Sequence, residues 1–335
     1  MFFVIFADVW WIKYLEIRRM STCGAVSTLI LLALMILSSF HSQSSLKTRY
    51  PRPKAVVQEK PMVVLTMFTT FKNRTDKYQT YCNTLHNWAL FLPQIQPILF
   101  TYGTDQNLIK LAKRLGWLVF DVPRLGKNKV PIWKDMYFAA QNHSNSIFYS
   151  FFNGDILFDH GLLDTLLIVK EYINQLNKPL IIGQRTNVPL RGRDLWNTSD
   201  VTKAAKEGQL FVTGALDYLI LAHNQFVWDQ VRDVVIGRPG YDNYIVVLAL
   251  NNNLSIIDAT ETILTMHQTG KDGNTAGEQN KDNRYNHKVL GNFDFSRGGT
   301  ENAPLCTKRG HGEEKIELWR RPMKQMVKLL KLKCQ

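Results

Sequence analysis

The chain has few cysteines and a shortage of acidic residues. Four cysteines in 335 residues are too few for a disulfide framework, and their spacing fits no zinc site. Gly-x-Ser-x-Gly, Walker and His-Glu-x-x-His motifs are all missing, which argues against hydrolase and NTPase functions. Lys and Arg number 41 against 28 Asp and Glu, so the surface should attract anions. No zinc knuckle or RNP-like aromatic motif accompanies that charge, which disfavours nucleic acid as the partner.

Charged residues are also missing between Arg19 and Lys47, and the centre of that stretch is apolar. Residues 22–41, which begin TCGAVSTLILLALMILSSF, are long enough to span a bilayer. The sequence therefore predicts a transmembrane signal-anchor there, preceded by a cytoplasmic tail over residues 1–21. A cleaved signal peptide is the alternative. The charges on the two sides of the stretch do not decide its orientation.

Four N-glycosylation sequons follow the apolar stretch, at Asn73, Asn142, Asn197 and Asn253. They favour a lumenal C-terminal body, and hence a single-pass type II protein of the Golgi or endoplasmic reticulum membrane. Residues 42–61 are polar, basic and interrupted by proline, which predicts a stem between the membrane and the folded body.

The folded body is predicted over residues 62–310, and its first half alternates strands with helices. Buried-strand patterns occur over residues 62–68, 96–102, 117–122, 147–152 and 180–183, with helical patterns over 77–90, 107–115, 132–141 and 161–176. This order predicts an α/β fold with a mostly parallel sheet flanked by helices. Residues 311–335 are basic and amphipathic, which predicts a C-terminal helix that docks on the domain or, alternatively, lies on a membrane surface.

The most informative segment is the strand over residues 147–152 with the three residues that follow it, Asn153, Gly154 and Asp155. A bare carboxylate at the end of an apolar strand is costly unless a positive group neutralises it. Asn153 and Asp155 both offer oxygen, which suits Mg²⁺ or Mn²⁺, and Gly154 would let a phosphate approach the backbone closely. An Asx-turn or a helix N-cap is the alternative role for the aspartate.

The apolar strand with its Asp-containing end, the predicted anchor and the stem together resemble the GT-A glycosyltransferases. The resemblance covers roughly residues 62–295. It implies a Rossmann-type domain, behind one transmembrane helix, that binds a nucleotide sugar and moves the sugar to a hydroxyl of a glycan, protein or lipid. A divalent metal, Mn²⁺ or Mg²⁺, would bind the diphosphate. Asp155 takes the place of the family's metal-binding second aspartate, and Asn153 stands where the family has the first.

The same resemblance implies roles for three residues later in the chain. His267 lies in an apolar run before a polar loop and is implied as a further metal ligand, with a satisfied core histidine as the alternative. Asp242 follows a Gly/Pro turn at the start of an apolar helix, where inverting members place the base that deprotonates the acceptor. It could also N-cap that helix. Asp217 is the second candidate for the base, and a retaining enzyme would need neither.

The residues expected to contact the nucleotide sugar are Thr69, Thr70, Lys72, Asn153, Gly154, Arg185 and Lys271. The first three follow the first strand, in the loop that holds base and ribose in GT-A proteins. Arg185 follows the strand over residues 180–183, where ligands of open α/β sheets bind, and Lys271 lies in a polar loop suited to folding over a diphosphate. A non-catalytic glycan-binding or scaffolding protein on the same fold is the alternative function, and a nucleotidyltransferase is a second enzymatic one.

Overall fold

The computed structural model describes residues 48–49, 63–271, 273–275, 277–310 and 315–321. The predicted tail and signal-anchor and almost all of the predicted stem lie outside these residues, as does the C-terminal segment 322–335. Within the described ranges, no helix is long and apolar enough to cross a membrane. Arg49–Arg321 forms one compact unit.

The first half of the unit contains the predicted alternation of strands and helices. Its elements are β1 (Val63–Thr69), α1 (Tyr78–Ala89), β2 (Ile95–Thr101), α2 (Gln106–Arg114), β3 (Leu118–Asp121), α3 (Trp133–His143), β4 (Ser146–Phe151), β5 (Ile156–Phe158), α4 (Gly161–Glu171) and β6 (Leu180–Ile182). Most bounds differ from the predicted ones by one or two residues. The exception is α4, which ends at Glu171 and gives way to a 3₁₀ turn over Ile173–Gln175.

The second half has shorter strands and longer connections. Its elements are β7 (Thr186–Pro189), α5 (Thr198–Ala205), β8 (Gln209–Leu210), β9 (Ile220–Ala222), α6 (Tyr241–Asn251), β10 (Ile256–Asp258), β11 (Thr265–Thr269), α7 (Tyr285–Leu290), β12 (Leu305–Arg309) and β13 (Ile316–Arg320). Strand β13 lies where the sequence predicted the start of a helix over residues 311–335, so that part of the prediction is wrong. Ile316 and Leu318 alternate inward from β13 and are buried, which is the period of a strand rather than a helix.

The larger sheet has the strand order β13-β12-β10-β6-β9-β4-β1-β2-β3 within this unit. Strands β4, β1, β2 and β3 pair in parallel, as do β6, β10 and β12. Strand β9 runs antiparallel between β4 and β6, and β13 runs antiparallel to β12. The mostly parallel α/β architecture predicted from the sequence is therefore present.

A smaller sheet with the order β5-β11-β7-β8 brings distant residues to the end of β4. Strand β5 begins directly after Asp155 and pairs antiparallel with β11, which places His267 opposite Ile156. Strand β7 pairs in parallel with β11, which places Asn187 opposite His267. The turn between β4 and β5 therefore lies beside β11.

Aromatic side chains pack on both faces of the larger sheet and hold that turn. On one face the ring of Tyr137 in α3 meets that of Phe68 in β1 edge-on, with centroids 4.8 Å apart. On the other face Trp88 of α1 stacks on Trp117 at 5.1 Å. The indole nitrogen of Trp88 also donates to the backbone oxygen of Ile156 at 2.8 Å, which ties the start of β5 to α1.

Candidate active site

A cavity of about 520 Å³ opens at the carboxyl ends of β1 and β4, where ligands of open α/β sheets bind. Its walls come from the loop after β1, the turn between β4 and β5, strand β11 and the loop that follows β11. The charged side chains among its described lining residues are Lys72, Arg74, Lys77, Lys129, Arg185 and one carboxylate, Asp155. A volume of this size and an excess of cations suit an anionic ligand such as a nucleoside diphosphate.

Most of the predicted site residues line this cavity, namely Thr70, Lys72, Asn153, Gly154, Asp155, Arg185 and His267. Thr69 does not: it is fully buried at the end of β1, and its hydroxyl has no hydrogen-bond partner in the described part of the chain. Lys271 is exposed and lies outside the lining. Asp217 and Asp242 are also outside the lining. The predicted contacts of Thr69 and Lys271 with a nucleotide sugar therefore do not fit this cavity.

Asp155 and His267 meet at the cavity wall, where Asp155 Oδ2 lies 3.4 Å from His267 Nε2. Asp155 Oδ1 is buried and has no hydrogen-bond partner among the described residues. Burial alone would raise the pKa of the Asp155 carboxyl. The nearby His267, followed by Lys77 and Arg185, outweighs that effect and lowers the pKa, so the carboxylate is ionised at neutral pH. The alternative role given for Asp155, a bond to the nearby backbone, belongs to Asp159: its Oδ1 accepts from the Gly161 N–H at 2.9 Å.

Hydrogen bonds on the Nδ1 side orient the His267 ring. Thr269 Oγ1 lies 3.3 Å from His267 Nδ1 and donates its own proton to Asn274 Oδ1 at 2.8 Å. The hydroxyl is then free to accept from Nδ1–H, and this contact holds the ring with Nε2 towards Asp155 Oδ2. A divalent cation bound between Nε2 and Asp155 would use an atom of each side chain as a ligand.

The donors gathered here fit a hard divalent cation. Asn153 donates its amide N–H to Asp217 Oδ1 at 2.8 Å, so the amide oxygen is the atom left to bind a metal. One carboxylate, one imidazole and one amide oxygen leave room for ligand and water oxygens, which suits Mn²⁺ or Mg²⁺. The described residues contain no group of three or more His, Cys, Asp and Glu that could hold a metal by itself. Asp155 and His267 would thus need Asn153 and a bound ligand to complete the coordination.

Asp217 is an ion-pair partner within the protein. It is 3% exposed, and both of its carboxylate oxygens accept from Arg185 Nη1 at 2.8 Å. The other nitrogens of Arg185 are also engaged, since Nε donates to Asn187 Oδ1 at 2.9 Å and Nη2 to the backbone oxygen of Asn274 at 2.7 Å. A carboxylate used in this way is poorly placed to deprotonate an acceptor, so the base role predicted for Asp217 does not fit its contacts.

Asp242 is the second residue of α6 and not its N-cap. Gly240 occupies the cap position with φ of +91°, a left-handed conformation that favours glycine, so the predicted capping role is wrong. Burial raises the pKa of the Asp242 carboxyl to about 7, and the charge of Asp217 adds to this against the backbone donors of Asn243 and Leu216. A carboxyl with a pKa near 7 has the properties of a general base.

Gly154 makes room for an aromatic ring instead of a phosphate. A Cβ at this position would lie 2.8 Å from Phe71 Cδ1, so the predicted close approach of a ligand is occupied by Phe71 on that side. Phe71 itself stacks on Tyr81 with centroids 4.4 Å apart. Thr84 Oγ1 donates to the backbone oxygen of Gly154 at 2.9 Å, which anchors the turn on α1.

The lining residues that sequence reasoning missed include Arg74, Lys77, Tyr81, Lys129 and Asn274. The run KNRTDK after β1 contains Lys72, Arg74 and Lys77, and this local cluster of basic residues could have revealed the cationic wall. Lys129 gives no such signal, since it stands in a loop turn with φ of +57°. Asn274 gives no local signal either, because its place in the lining depends on contacts with Thr269 and Arg185.

Comparison with known proteins gives distant structural similarities only. No family model matches the chain, and no curated protein matches its sequence. A mannosyltransferase from Pyrobaculum calidifontis, solved with GDP-Man and Mn²⁺, is 11% identical with a TM-score of 0.37, over 74% of this chain and 68% of that one. A cytidylyltransferase from Leptospira borgpetersenii is 16% identical with a TM-score of 0.37, over 60% of this chain and 76% of that one. A putative nucleotide-diphospho-sugar transferase from Desulfovibrio desulfuricans is 12% identical with a TM-score of 0.34, over 68% and 97%. Similarities at this level assign neither a family nor a function to the chain.

Proposed function

We propose that this chain is a metal-assisted glycosyltransferase, which moves a sugar from a nucleotide-sugar donor to a hydroxyl group of a glycan, protein or lipid. The observation that carries the proposal is the Asp155–His267 pair at the wall of a cationic cavity. Asp155, His267 and Asn153 would hold Mn²⁺ or Mg²⁺ there. Such a metal neutralises the charge that develops on a departing nucleoside diphosphate.

The cations of the cavity support a diphosphate ligand. Lys77 is 7% exposed and close enough to Asp155 to lower the pKa of its carboxyl, so positive charge lies beside the candidate metal position. Lys72 lies on the same wall, where burial and then Arg238 and Arg74 lower the pKa of its ammonium group. Lys72, Arg74 and Arg238 repel one another, and an anion bound beside them would offset this repulsion.

Asp242 is the candidate base for an inverting reaction. Its pKa of about 7 lets a large part of the carboxyl be ionised at neutral pH while it remains basic enough to accept a proton from an acceptor hydroxyl. Asp217 would support it indirectly, since its negative charge raises the pKa of Asp242.

Mn²⁺-dependent nucleotide binding to the purified full-length chain tests the proposal. Titration calorimetry should show that UDP or GDP binds much more tightly with Mn²⁺ than without it, and that Asp155→Asn removes this dependence. Asp159→Asn is the matched control, because Asp159 bonds the backbone of Gly161 and lies outside the lining. A screen of UDP- and GDP-sugars for hydrolysis would then identify the donor.

The outcomes separate the transferase from its alternative. If neither nucleotide nor metal binds to the wild-type chain, the proposed function is wrong. If both bind but no donor is hydrolysed or transferred, the non-catalytic glycan-binding role is favoured.

We also propose that the unit faces the lumen of the Golgi or endoplasmic reticulum. All four sequon asparagines are exposed, as glycan attachment requires. Asn73 additionally lines the cavity, so a glycan there would stand at its opening. Glycosidase treatment of the chain expressed in a secretory cell should reduce its mass, and an unchanged mass would contradict this location.

A further inference from the structure

A chain of polar contacts leads from His267 to Arg185 without passing through Asp155. His267 Nδ1 lies 3.3 Å from Thr269 Oγ1, and that hydroxyl donates to Asn274 Oδ1 at 2.8 Å. The backbone oxygen of Asn274 in turn accepts from Arg185 Nη2 at 2.7 Å. The orientation of the His267 ring is therefore linked to the position in which Arg185 holds Asn274.

The same guanidinium reaches the other candidate ligand through Asp217. Arg185 Nη1 donates to both oxygens of Asp217 at 2.8 Å, and Asp217 Oδ1 also accepts from Asn153 Nδ2 at 2.8 Å. This last bond selects the rotation of the Asn153 amide in which the nitrogen points to Asp217 and the oxygen is left for a cation. The ion pair thus lies between the two side chains that would join Asp155 at the metal.

The burial of the pair is hard to explain by stability alone. The side chains of Arg185 and Asp217 are 8% and 3% exposed, and a buried ion pair of this kind contributes little net stability compared with apolar residues of the same volume. Groups that orient metal ligands by hydrogen bonds, on the other hand, affect metal affinity directly.

We infer that Arg185 and Asp217 form a positioning pair, which fixes the amide of Asn153 at one end and, through Asn274 and Thr269, the ring of His267 at the other. The metal-binding consequence rests on the proposed function. The orienting contacts join protein atoms only, so they can be tested separately.

Mn²⁺ affinity of the full-length chain, measured by electron paramagnetic resonance of the free ion, is the first test. Asp217→Asn keeps the size of the side chain but removes its charge, and the new amide nitrogen would face the donors of Arg185 or Asn153. We expect Mn²⁺ affinity to fall about 10- to 100-fold, as is typical when groups that orient metal ligands are changed. Circular dichroism at the same temperature must show a folded protein.

Asp258→Asn is the matched control. Asp258 is 5% exposed and pairs with the partly exposed Arg321 outside the cavity lining, so its replacement also removes a buried carboxylate from a guanidinium contact. The control should lose stability but keep the Mn²⁺ affinity of the wild type. An equal loss of affinity in both variants would mean that any buried ion pair has this effect, and would overturn the inference.

The second test needs no metal. Arg185→Lys keeps the positive charge but lacks the second nitrogen that holds Asn274. The ¹⁵N signals of His267, assigned with His267→Gln, should be the same in the wild type and in Asp258→Asn, and should shift in Arg185→Lys. If an ion-pair variant does not fold, Thr269→Val removes the hydroxyl from the same path and should also shift them.

The two tests distinguish the failure of this inference from the failure of the proposed function. A wild-type chain that binds no Mn²⁺ would exclude the metal function, and the His267 signals would then decide the positioning role by themselves. Unchanged His267 signals in Arg185→Lys and Thr269→Val, or wild-type Mn²⁺ affinity in Asp217→Asn, would overturn the inference.

Discussion

Replacement of Asp242 by Asn should stabilise the protein at neutral and alkaline pH while it abolishes sugar transfer. Burial, together with the charge of Asp217, raises the pKa of this carboxyl from its ordinary 3.8 to about 7. A carboxyl that holds its proton more tightly in the folded chain than in the unfolded chain destabilises the fold whenever it must be ionised. Asn has nearly the same shape and never carries the charge.

The pH window follows from the two pKa values. Below about pH 4 Asp242 is protonated in both the folded and the unfolded chain, and it does not lower the free energy of unfolding. Between about pH 4 and 7 Asp242 ionises only in the unfolded chain, so the loss in the free energy of unfolding grows with pH. Above about pH 7 that loss is constant. The interval from 3.8 to about 7 corresponds to at most about 4 kcal/mol. Because Asp242 is partly exposed, we expect Asn to recover about half of this, which raises Tm by about 3–4 °C for a unit of this size.

Thermal denaturation of the full-length chain at about pH 4.5 and pH 8 measures the effect. The gain from Asp242→Asn should be clearly larger at the higher pH, and sugar transfer should be lost at pH 8, where the wild type is active. Asp164→Asn is the control, since Asp164 is also in the first turn of a helix but is exposed, and it should show no gain. A variant that is no more stable than the wild type at pH 8, or equally stabilised at both values, would refute the reasoning.

Further predictions concern the turn, the helix caps and the rate of the reaction. Gly154→Ala should lower stability by about 1–3 kcal/mol in thermal denaturation, because the new Cβ would lie 2.8 Å from Phe71. Asn153→Asp should lower it by about 1–3 kcal/mol at neutral pH by placing two carboxylates in contact, and Asp217→Asn in the same chain should recover part of that loss. Asn197→Ala should cost about 1 kcal/mol, because the Asn197 side chain caps α5 by accepting from the backbone N–H of Asp200 at 2.8 Å. The initial rate of the wild type should rise with pH to a plateau above about pH 7, and a flat profile would exclude Asp242 as the base.

Local sequence patterns were sufficient for the first half of the fold. Strands such as Val63–Thr69 and Ser146–Phe151 are short apolar runs buried on both faces, and the helices between them have their own periodicity and end signals. The smaller sheet could not be predicted in this way. Ile156–Phe158 belongs to the same apolar run as the strand before it, and Gln209–Leu210 is too short to show a period. Their pairing is decided by contacts between distant segments.

The candidate site, like the fold, could be predicted from the sequence only where the signal is local. Asp155 could be found because an acid beside an apolar strand stands out in the sequence, whereas its contact with His267 depends on the register of β5 against β11. The pairing of Asp217 with Arg185 joins residues 32 positions apart and has no local signal, which is why Asp217 was taken as a candidate base. The N-cap predicted at Asp242 is a different kind of error. The preference for Asp at N-caps did not account for Gly240, whose left-handed conformation places the cap two residues earlier.

The contacts of Asp217 also explain why Asn, and not a second acid, stands at position 153. An aspartate at 153 would have a carboxylate oxygen about where Asn153 Nδ2 now lies, 2.8 Å from Asp217 Oδ1, and two ionised carboxylates repel strongly at that distance. Arg185 already contacts both Asp217 oxygens and cannot neutralise another carboxylate as well. The amide instead donates to Asp217 and keeps an oxygen for a cation. Asp217, which contacts Asn153 and not the candidate metal position, thus carries the negative charge that a second acid would bring, and Arg185 balances that charge. A motif with one carboxylate is therefore compatible with a divalent metal here, because Asp217 supplies the orientation and His267 the remaining side-chain donor.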